Sequence, residues 1–188
     1  MFIDADGYPF IAELTAGWTV VRRELDALGD GLLRPWHDRH LYDGDAWKAF
    51  GLYAFGRKLE ANCRLCPETT RLVEAVPGML SAGFSRLEPG AHIRPHTGLN
   101  RGVYRCHLGL SIPPDCALCV DGETRSWREG ECLVFDDTSE HEAWNRSKAE
   151  RVVLLLDFAR TPGHFNPYHV AANWIDGLRF AFFNRFVS

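Results

Sequence analysis

The sequence predicts a mainly β protein with flanking helices and a jelly-roll or sandwich core. After Gly83 the chain consists of short apolar runs separated by turn residues, a pattern typical of antiparallel sheet proteins. Before Gly83, and again near the C-terminus, apolar residues recur at helical spacing. With 188 residues and 46% hydrophobic content, the chain is long enough for one domain that buries a sizeable core.

The first predicted helix is amphipathic. From Leu14 onward, apolar residues recur on one helix face at Trp18, Val21, Leu25 and Leu28. The segment Gly29-Asp30-Gly31 ends this pattern, because glycine is a common helix terminator.

A second helix is predicted from Pro67, since proline suits a first helical turn, and it ends at Pro77. Its buried face carries Leu72, Val73 and Val76. Between the two helices the sequence predicts a long connection, which contains Trp36, Trp47 and Phe50.

Six strands are predicted after Gly83. They are Phe84 to Leu87, Tyr104 to Ile112, Ala117 to Val120, Thr124 to Trp127, Cys132 to Phe135 and Arg151 to Phe158. A final helix is predicted from Asn166 as N-cap, followed by Pro167, with Val170, Trp174, Leu178 and Phe182 on one face. This face either covers the sheet or, with Phe180, Phe183 and Phe186 beside it, forms a homodimer contact.

The predicted organisation is a single domain over residues 1–188. Residues 1–80 form a helical and connecting segment, residues 81–160 the jelly-roll core, and residues 161–188 the C-terminal helix. A net charge of -4 argues against a nucleic-acid partner, which requires clustered Lys and Arg. The N-terminus lacks the features of a secretory signal, and no segment has the apolar length of a membrane span. We therefore expect a cytoplasmic protein with no membrane partner.

Six cysteines raise the alternative of a zinc site, because Cys63 and Cys66, and Cys116 and Cys119, have the spacing of paired thiolate ligands. The second pair lies in an apolar strand, where thiols act as small hydrophobic groups. Free thiols are the favoured interpretation for a reducing compartment.

The strand from Tyr104 is expected to have one apolar and one charged face. Alternation puts Arg105, His107 and Gly109 on the same side. Such a face suits either a barrel lumen that receives an anion or a solvent-facing strand. Arg151 opens a strand apolar enough to be covered on both faces, so we expect its guanidinium to need an anionic partner such as a ligand carboxylate.

His96 and His141 are the candidate metal ligands. Two histidines on neighbouring strands can hold one face of a non-haem Fe(II), and the usual third ligand is a carboxylate two residues after the first histidine. Gly98 occupies that position here, so the predicted metal has two protein ligands and an extra open position. Asp136 and Asp137 are expected to bond to the backbone of their own turn instead of the metal.

Several motifs together resemble the aspartyl/asparaginyl β-hydroxylase family. They are Ser85 with the Pro-His96-Thr-Gly segment, Arg105-Cys-His107-Leu-Gly-Leu, Phe135-Asp-Asp-Thr-Ser-Glu-His141-Glu and Arg151. The resemblance covers at least residues Trp47 to Asp157. It implies a double-stranded β-helix, also called a jelly-roll or cupin-like fold, and Fe(II)- and 2-oxoglutarate-dependent oxygenase chemistry that uses O2.

The resemblance also implies roles for single residues. His96 and His141 would bind iron, and Arg151 and Ser85 the distal carboxylate of 2-oxoglutarate. His107 would contact the other end of 2-oxoglutarate near the metal. Arg105 would lie on that carboxylate or on an acidic substrate side chain, and Trp47 matches a tryptophan that lines the pocket. Family members with the same His-Thr-Gly are hydroxylases, so Gly98 does not imply an inactive site.

The substrate is expected to be an acidic or amide-bearing amino acid, free, carrier-bound or peptidyl, hydroxylated at its β-carbon. Two arginines that hold an acidic peptide in the animal members appear here as Tyr42 and Val103. Arg57 and Arg101 are candidate replacement cations. Two alternatives remain open: a halogenase that admits chloride beside Gly98, and a cupin-like protein that binds metal and a small acid without turnover.

Overall fold

The computed structural model describes residues 1–98 and 100–161, which contain three α-helices and twelve strands. The helices are α1 (Pro9–Ala27), α2 (Glu60–Leu65) and α3 (Pro67–Glu74). The strands are β1 (Phe2–Ile3), β2 (Arg34–Pro35), β3 (Trp47–Ala54), β4 (Arg57–Lys58), β5 (Met79–Leu87), β6 (His92–His96), β7 (Val103–Ser111), β8 (Cys116–Val120), β9 (Glu123–Arg125), β10 (Cys132–Phe135), β11 (His141–Asn145) and β12 (Arg151–Ala159). Short 3₁₀ turns cover Ala5–Gly7, Asp30–Leu32 and Arg39–Leu41.

The strands form two antiparallel sheets. The larger sheet has the order β1-β10-β7-β12-β5-β3-β2, with β4 paired to β3, and the smaller has the order β6-β11-β8-β9. From β5 to β12 the chain passes back and forth between the two sheets, which is the winding of a double-stranded β-helix. The predicted jelly-roll fold class is therefore confirmed.

Two apolar clusters hold the layers together. The first lies between the larger sheet and the helices, where Leu14 and Val21 of α1 pack with Leu108 of β7. The second lies between the two sheets and contains Leu118 and Val153. Strand β12 contributes to both clusters, which explains why its sequence is apolar at nearly every position.

The predicted helices are present, with different limits. Helix α1 begins at Pro9, a turn earlier than Leu14, and α3 begins at Pro67 as predicted. The long connection predicted between them is wrong in part, because it contains β3, β4 and α2. Trp47 and Phe50 are buried residues of β3, and a register shift between Gly51 and Tyr53 interrupts the alternation that would have marked the strand.

All six predicted strands are present, but two further core strands were not predicted. Strand β6 contains only one buried residue, and β11 is short and polar, so neither has a clear apolar pattern. These two strands carry His96 and His141. The predicted C-terminal helix and its dimer contact lie outside the described residues. Among the helices that the structure describes, none combines the length and apolar character needed to cross a membrane.

Candidate functional site

His96 and His141 face each other across the pairing of β6 with β11. They are register partners in the smaller sheet, and their ring centroids are 4.2 Å apart. His96 is the last residue of β6 and His141 the first residue of β11, so both side chains lie at the same end of the sheet. The neighbouring-strand placement expected from the sequence is present.

Hydrogen bonds fix the proton position on both rings. Nδ1 of His96 lies 2.8 Å from the carbonyl oxygen of Arg94, and Nδ1 of His141 lies 2.9 Å from that of Ser139. A carbonyl oxygen can only accept, so each Nδ1 carries the hydrogen and each Nε2 keeps a lone pair. Burial lowers the pKa of His96, and burial together with the neighbouring His96 lowers the pKa of His141 to about 3. Both rings are neutral at pH 7 and present adjacent Nε2 atoms to a metal.

Asp137 occupies the space beside Gly98. A Cβ atom at Gly98 would lie 1.6 Å from Asp137 Oδ2, and the Gly98 N–H donates to the Asp137 carbonyl at 2.7 Å. The other carboxylate oxygen, Oδ1, is 3.4 Å from Nε2 of His141. The expectation that Asp137 bonds to the backbone of its own turn is wrong, because its carboxylate instead contacts Arg105 and His141. The expectation holds for Asp136, whose Oδ1 accepts from the backbone N–H of Thr138 at 3.0 Å.

Nowhere in residues 1–98 and 100–161 do three His, Cys, Asp or Glu side chains converge in a metal-binding arrangement. The cysteine pairs do not approach each other as a zinc site requires, because Cys63 and Cys66 lie in the helix-side cluster whereas Cys116 lies between the sheets. The candidate metal position is therefore the two-histidine site.

Arg105 is held by two carboxylates. Its Nε and Nη2 donate to Asp157 at 2.8 and 3.1 Å, and its Nη1 lies 2.5 Å from Asp137 Oδ1. Burial opposes the charge, but the two carboxylates raise the pKa of Arg105 above its ordinary value. The guanidinium lines the pocket as expected, yet its donors already have anionic partners. This arrangement suits a residue that positions Asp137 more than one that binds a second anion.

His107 presents an unused hydrogen-bond donor. The indole N–H of Trp127 donates to Nδ1 of His107 at 3.3 Å, so the hydrogen of the neutral imidazole is on Nε2. Nε2 is buried and has no hydrogen-bond partner among the described residues. Burial, and then the nearby charge of Arg151, lowers the pKa of His107 well below its ordinary value. His107 is therefore a neutral donor that faces the pocket.

Arg151 is a buried cation without a carboxylate partner in the described part of the chain. Its exposed fraction is 1%, Nη1 donates to the Ser85 carbonyl at 3.4 Å, and Nε has no hydrogen-bond partner there. The guanidinium carbon lies 4.5 Å from the ring centroid of Trp127. Burial lowers the pKa of Arg151 to about 9. A buried unpaired charge is costly, so this environment is suited to an anionic ligand.

Ser85 and Trp47 form the wall next to Arg151. The indole N–H of Trp47 donates to Ser85 Oγ at 3.0 Å, and its ring stacks on Trp36 with centroids 4.6 Å apart. All seven residues predicted for the site line one pocket between the two sheets. The lining residues are Trp47, Ser85, Ile93, His96, Arg105, His107, Leu118, Phe135, His141, Ala143, Arg151 and Leu155.

Sequence reasoning missed four residues of this site: Trp36, Trp127, Asp137 and Asp157. Trp127 was assigned only to a strand, and Asp157 only to the end of one. Each acts through a partner that is distant in sequence, and no local pattern marks such pairs. One signal was available for Asp157, which lies opposite Arg105 if β12 and β7 are paired.

The two positions at which animal members of the family carry substrate-binding arginines offer no charge in this chain. Tyr42 is buried and its hydroxyl donates to the carbonyl oxygen of Trp36, and Val103 is also buried. Arg57 pairs with Ala54, at the end of β3 away from Trp47, so it is remote from the pocket. Arg101 is exposed in the loop after His96, as expected for that loop.

Comparisons with known proteins agree with these motifs. A family model described as aspartyl/asparaginyl beta-hydroxylase matches residues 15–161. The ornithine lipid ester-linked acyl 2-hydroxylase of Rhizobium tropici is 38% identical over 167 residues, which cover 84% of this chain and 59% of that protein. The human aspartyl/asparaginyl beta-hydroxylase is 35% identical over 156 residues, which cover 78% of this chain and 20% of that protein. The chain thus spans only part of the length of these relatives.

Among solved structures, a Pseudomonas putida prolyl-4-hydroxylase is similar with a TM-score of 0.49 and 20% identity, over 80% of this chain and 88% of that chain.

Proposed function

Because the chain belongs to the aspartyl/asparaginyl β-hydroxylase family, we propose that it is an Fe(II)- and 2-oxoglutarate-dependent oxygenase that hydroxylates its substrate with O2. The observation that carries this proposal is the pairing of two unsatisfied buried groups in one pocket. The Arg151 guanidinium lacks a carboxylate partner in the described chain, and the Nε2 donor of His107 has no acceptor there. A dicarboxylate ligand would satisfy both.

The histidine pair fits Fe(II). Imidazole is a good ligand for this ion, and the two neutral rings have their Nε2 lone pairs free. The backbone carbonyls that accept from Nδ1 hold both rings in the required tautomer and orientation. His96 and His141 would therefore bind the iron through Nε2, and the remaining positions would be open to other ligands.

The other end of the pocket fits 2-oxoglutarate. Arg151 and the Ser85 hydroxyl would bind the distal carboxylate, while the Nε2–H of His107 would donate to the end nearer the iron. When bound, iron with 2-oxoglutarate and O2 supplies the oxidation of a substrate C–H bond to C–OH, with release of succinate and carbon dioxide. Trp47 would exclude water from the Arg151 end and keep the Ser85 hydroxyl in place.

Asp137 and Arg105 would organise the side of the iron that faces Gly98. The Arg105 guanidinium, fixed by Asp157, holds the Asp137 carboxylate near His141. From there Asp137 can accept a hydrogen bond from water or substrate. The same carboxylate argues against the halogenase alternative, because chloride beside Gly98 would meet both its bulk and a like charge.

Two substrate classes follow for the same chemistry. The family resemblance favours an aspartyl- or asparaginyl-like residue hydroxylated at its β-carbon. The neutral, buried Tyr42 and Val103 favour instead an acyl chain hydroxylated next to its carbonyl, as the name of the Rhizobium relative indicates for that protein. An acyl substrate does not require a cation in the pocket, whereas an acidic side chain does.

Succinate release distinguishes these cases. Purified protein with Fe(II), ascorbate and 2-oxoglutarate is incubated in air with aspartyl peptides, free aspartate and asparagine, and amino-acid lipids carrying ester-linked acyl chains. We expect substrate-dependent succinate for one class and a product heavier by one oxygen. The His141→Ala variant should lose this activity. Ligand binding with no succinate for any substrate would favour the non-catalytic binding protein.

A further inference from the structure

Trp127 lies behind the candidate co-substrate pocket and touches two of its walls. Its exposed fraction is 2%, and it is absent from the residues that line the pocket. The indole N–H donates to His107, and the guanidinium of Arg151 lies over the Trp127 ring. A single side chain therefore contacts both His107, whose Nε2–H has no acceptor, and Arg151, which has no carboxylate partner in the described chain.

The contact with His107 decides which ring nitrogen carries the hydrogen. An indole N–H can only donate, so Nδ1 of His107 must accept and the hydrogen must be on Nε2. With the opposite tautomer, Nε2 would present a lone pair to the pocket and repel a carboxylate or keto oxygen. The His107–Trp127 hydrogen bond thus makes the pocket-facing atom a donor.

The contact with Arg151 is of a different kind. The guanidinium carbon lies 4.5 Å from the Trp127 ring centroid, within the range of a cation–π interaction. An aromatic face stabilises a buried cation without neutralising it. A carboxylate at the same place would form an ion pair and leave little attraction for an incoming anion.

We propose that Trp127 is a positioning residue that prepares both ends of the 2-oxoglutarate site, by fixing the Nε2–H tautomer of His107 and by supporting Arg151 as an unpaired cation. The inference rests on the proposed function for the identity of the ligand. The tautomer of His107 does not depend on that function, because it is a property of the metal-free protein.

The first test is ¹⁵N NMR of metal-free protein labelled at histidine, with the His107 signals assigned from their loss in His107→Gln. The wild-type ring should show a protonated Nε2 and an unprotonated Nδ1. In Trp127→Phe, which keeps an aromatic ring and removes the N–H, both signals should move toward averaged positions. A mixture of the two tautomers in the wild-type protein would overturn the inference, and this measurement does not depend on the folding of any variant.

The second test measures binding of 2-oxoglutarate to the Fe(II) protein under anaerobic conditions. Trp127→Phe should weaken binding about 10- to 100-fold, the range found when a group that orients a ligand residue is removed. In a His107→Gln background the same change should have little effect, since a glutamine amide donor has no tautomer to fix. An equal loss in both backgrounds would contradict the tautomer role.

Pyruvate separates the two contacts, because it lacks the distal carboxylate. Trp127→Phe should weaken the binding of pyruvate and of 2-oxoglutarate by a similar factor. Trp127→Leu, which also loses the aromatic ring, should weaken the binding of 2-oxoglutarate further. Equal losses for both ligands in Trp127→Leu would overturn the role at Arg151. Trp18→Phe on α1 is the matched control and should change neither affinity.

Wild-type protein with the Nε2–H tautomer but no 2-oxoglutarate binding would instead refute the proposed function, and with it the ligand assigned here.

Discussion

The carboxylate of Asp137 lies where a side chain at position 98 would project, since a Cβ atom on Gly98 would be 1.6 Å from Asp137 Oδ2. Gly98 therefore does more than leave the metal without a third ligand. It leaves room for a carboxylate that arrives from the turn before β11 and is held there by Arg105. The site keeps a carboxylate near the histidines, but places it on a different part of the chain.

This relationship predicts that a carboxylate at position 98 alone does not restore a three-ligand site. Gly98→Asp should destabilise the protein by about 1–3 kcal/mol through overpacking and should weaken Fe(II) binding. The double variant Gly98→Asp with Asp137→Gly should recover both. Thermal unfolding and anaerobic Fe(II) titration measure the two effects. Gly7→Ala, where a Cβ meets no atom within 4 Å, is the control. Tighter Fe(II) binding by Gly98→Asp alone would contradict the account.

The ion pair between Arg105 and Asp157 is predicted to be structural. Asp157→Asn should lower the free energy of unfolding by about 1.5–3 kcal/mol, because a charge-assisted hydrogen bond is lost while the Arg105 guanidinium stays partly buried. Chemical denaturation measures the change. Arg71→Gln removes the exposed pair with Glu68 and should cost less than 1 kcal/mol. Similar effects of the two variants would argue against a structural role for the Arg105–Asp157 pair in holding Asp137.

Arg151 is predicted to serve ligand binding at the expense of stability. Arg151→Leu should leave the ligand-free protein as stable as the wild type or more stable, because an unpaired buried charge is removed. 2-Oxoglutarate at 100 times its Kd should stabilise the wild type by about 2.7 kcal/mol and should not stabilise the variant. Thermal unfolding with and without ligand tests both statements.

Arg86 provides the contrasting case on the opposite face of the same sheet. It is buried beside the carboxylates of Glu88 and Glu150. Arg86→Leu should therefore destabilise the protein and leave the stabilisation by 2-oxoglutarate unchanged. A destabilised Arg151→Leu that still responds to 2-oxoglutarate would refute the role given to Arg151.

The buried histidines predict acid sensitivity of the metal-free protein. The pKa of His141 is lowered to about 3 in the folded state, against about 6.5 when unfolded. Between these values the unfolded chain binds more protons, so stability falls as pH decreases from about 6.5 toward 3. The slope contributed by this group approaches about 1.4 kcal/mol per pH unit.

Denaturation of metal-free protein from pH 7 to pH 4 measures that slope. His141→Gln should flatten it by close to one proton, and the same replacement at the exposed His40 is the matched control. Equal slopes in wild type and His141→Gln would show that His141 is not buried in the neutral form.

Part of this site can be predicted from the sequence, and the rest cannot, for physical reasons. The sequence is enough to recognise His96, His141 and Arg151, because each is a polar residue in a motif or strand whose other residues have structural explanations. The alternation around His107 correctly puts it on one face with Arg105, but it does not decide between a pocket wall and a solvent-facing strand; the structure places both residues in the pocket. The roles of Asp137 and Trp127 depend on how two turns pack against β6 and β7. The sequence does not predict these roles, because turn residues have many possible local explanations.

The fold shows the same division. Strands with continuous apolar patterns, such as β10 and β12, are predicted nearly to the residue. Strand β6 is not predicted, because four of its five residues, Pro95 among them, are not buried and only Ile93 marks a buried face. Its strand conformation is stabilised by pairing with β11, which is a tertiary effect and not a local preference.

An anaerobic titration of Fe(II) and 2-oxoglutarate into metal-free protein tests whether this pocket holds the two together. We expect a weak visible charge-transfer band that requires both components and is weakened or lost in Arg151→Ala. Addition of succinate, which lacks the keto group, should give no band. Metal binding without any such band, or an undiminished band in Arg151→Ala, would contradict the assignment of this pocket to an iron and 2-oxoglutarate site.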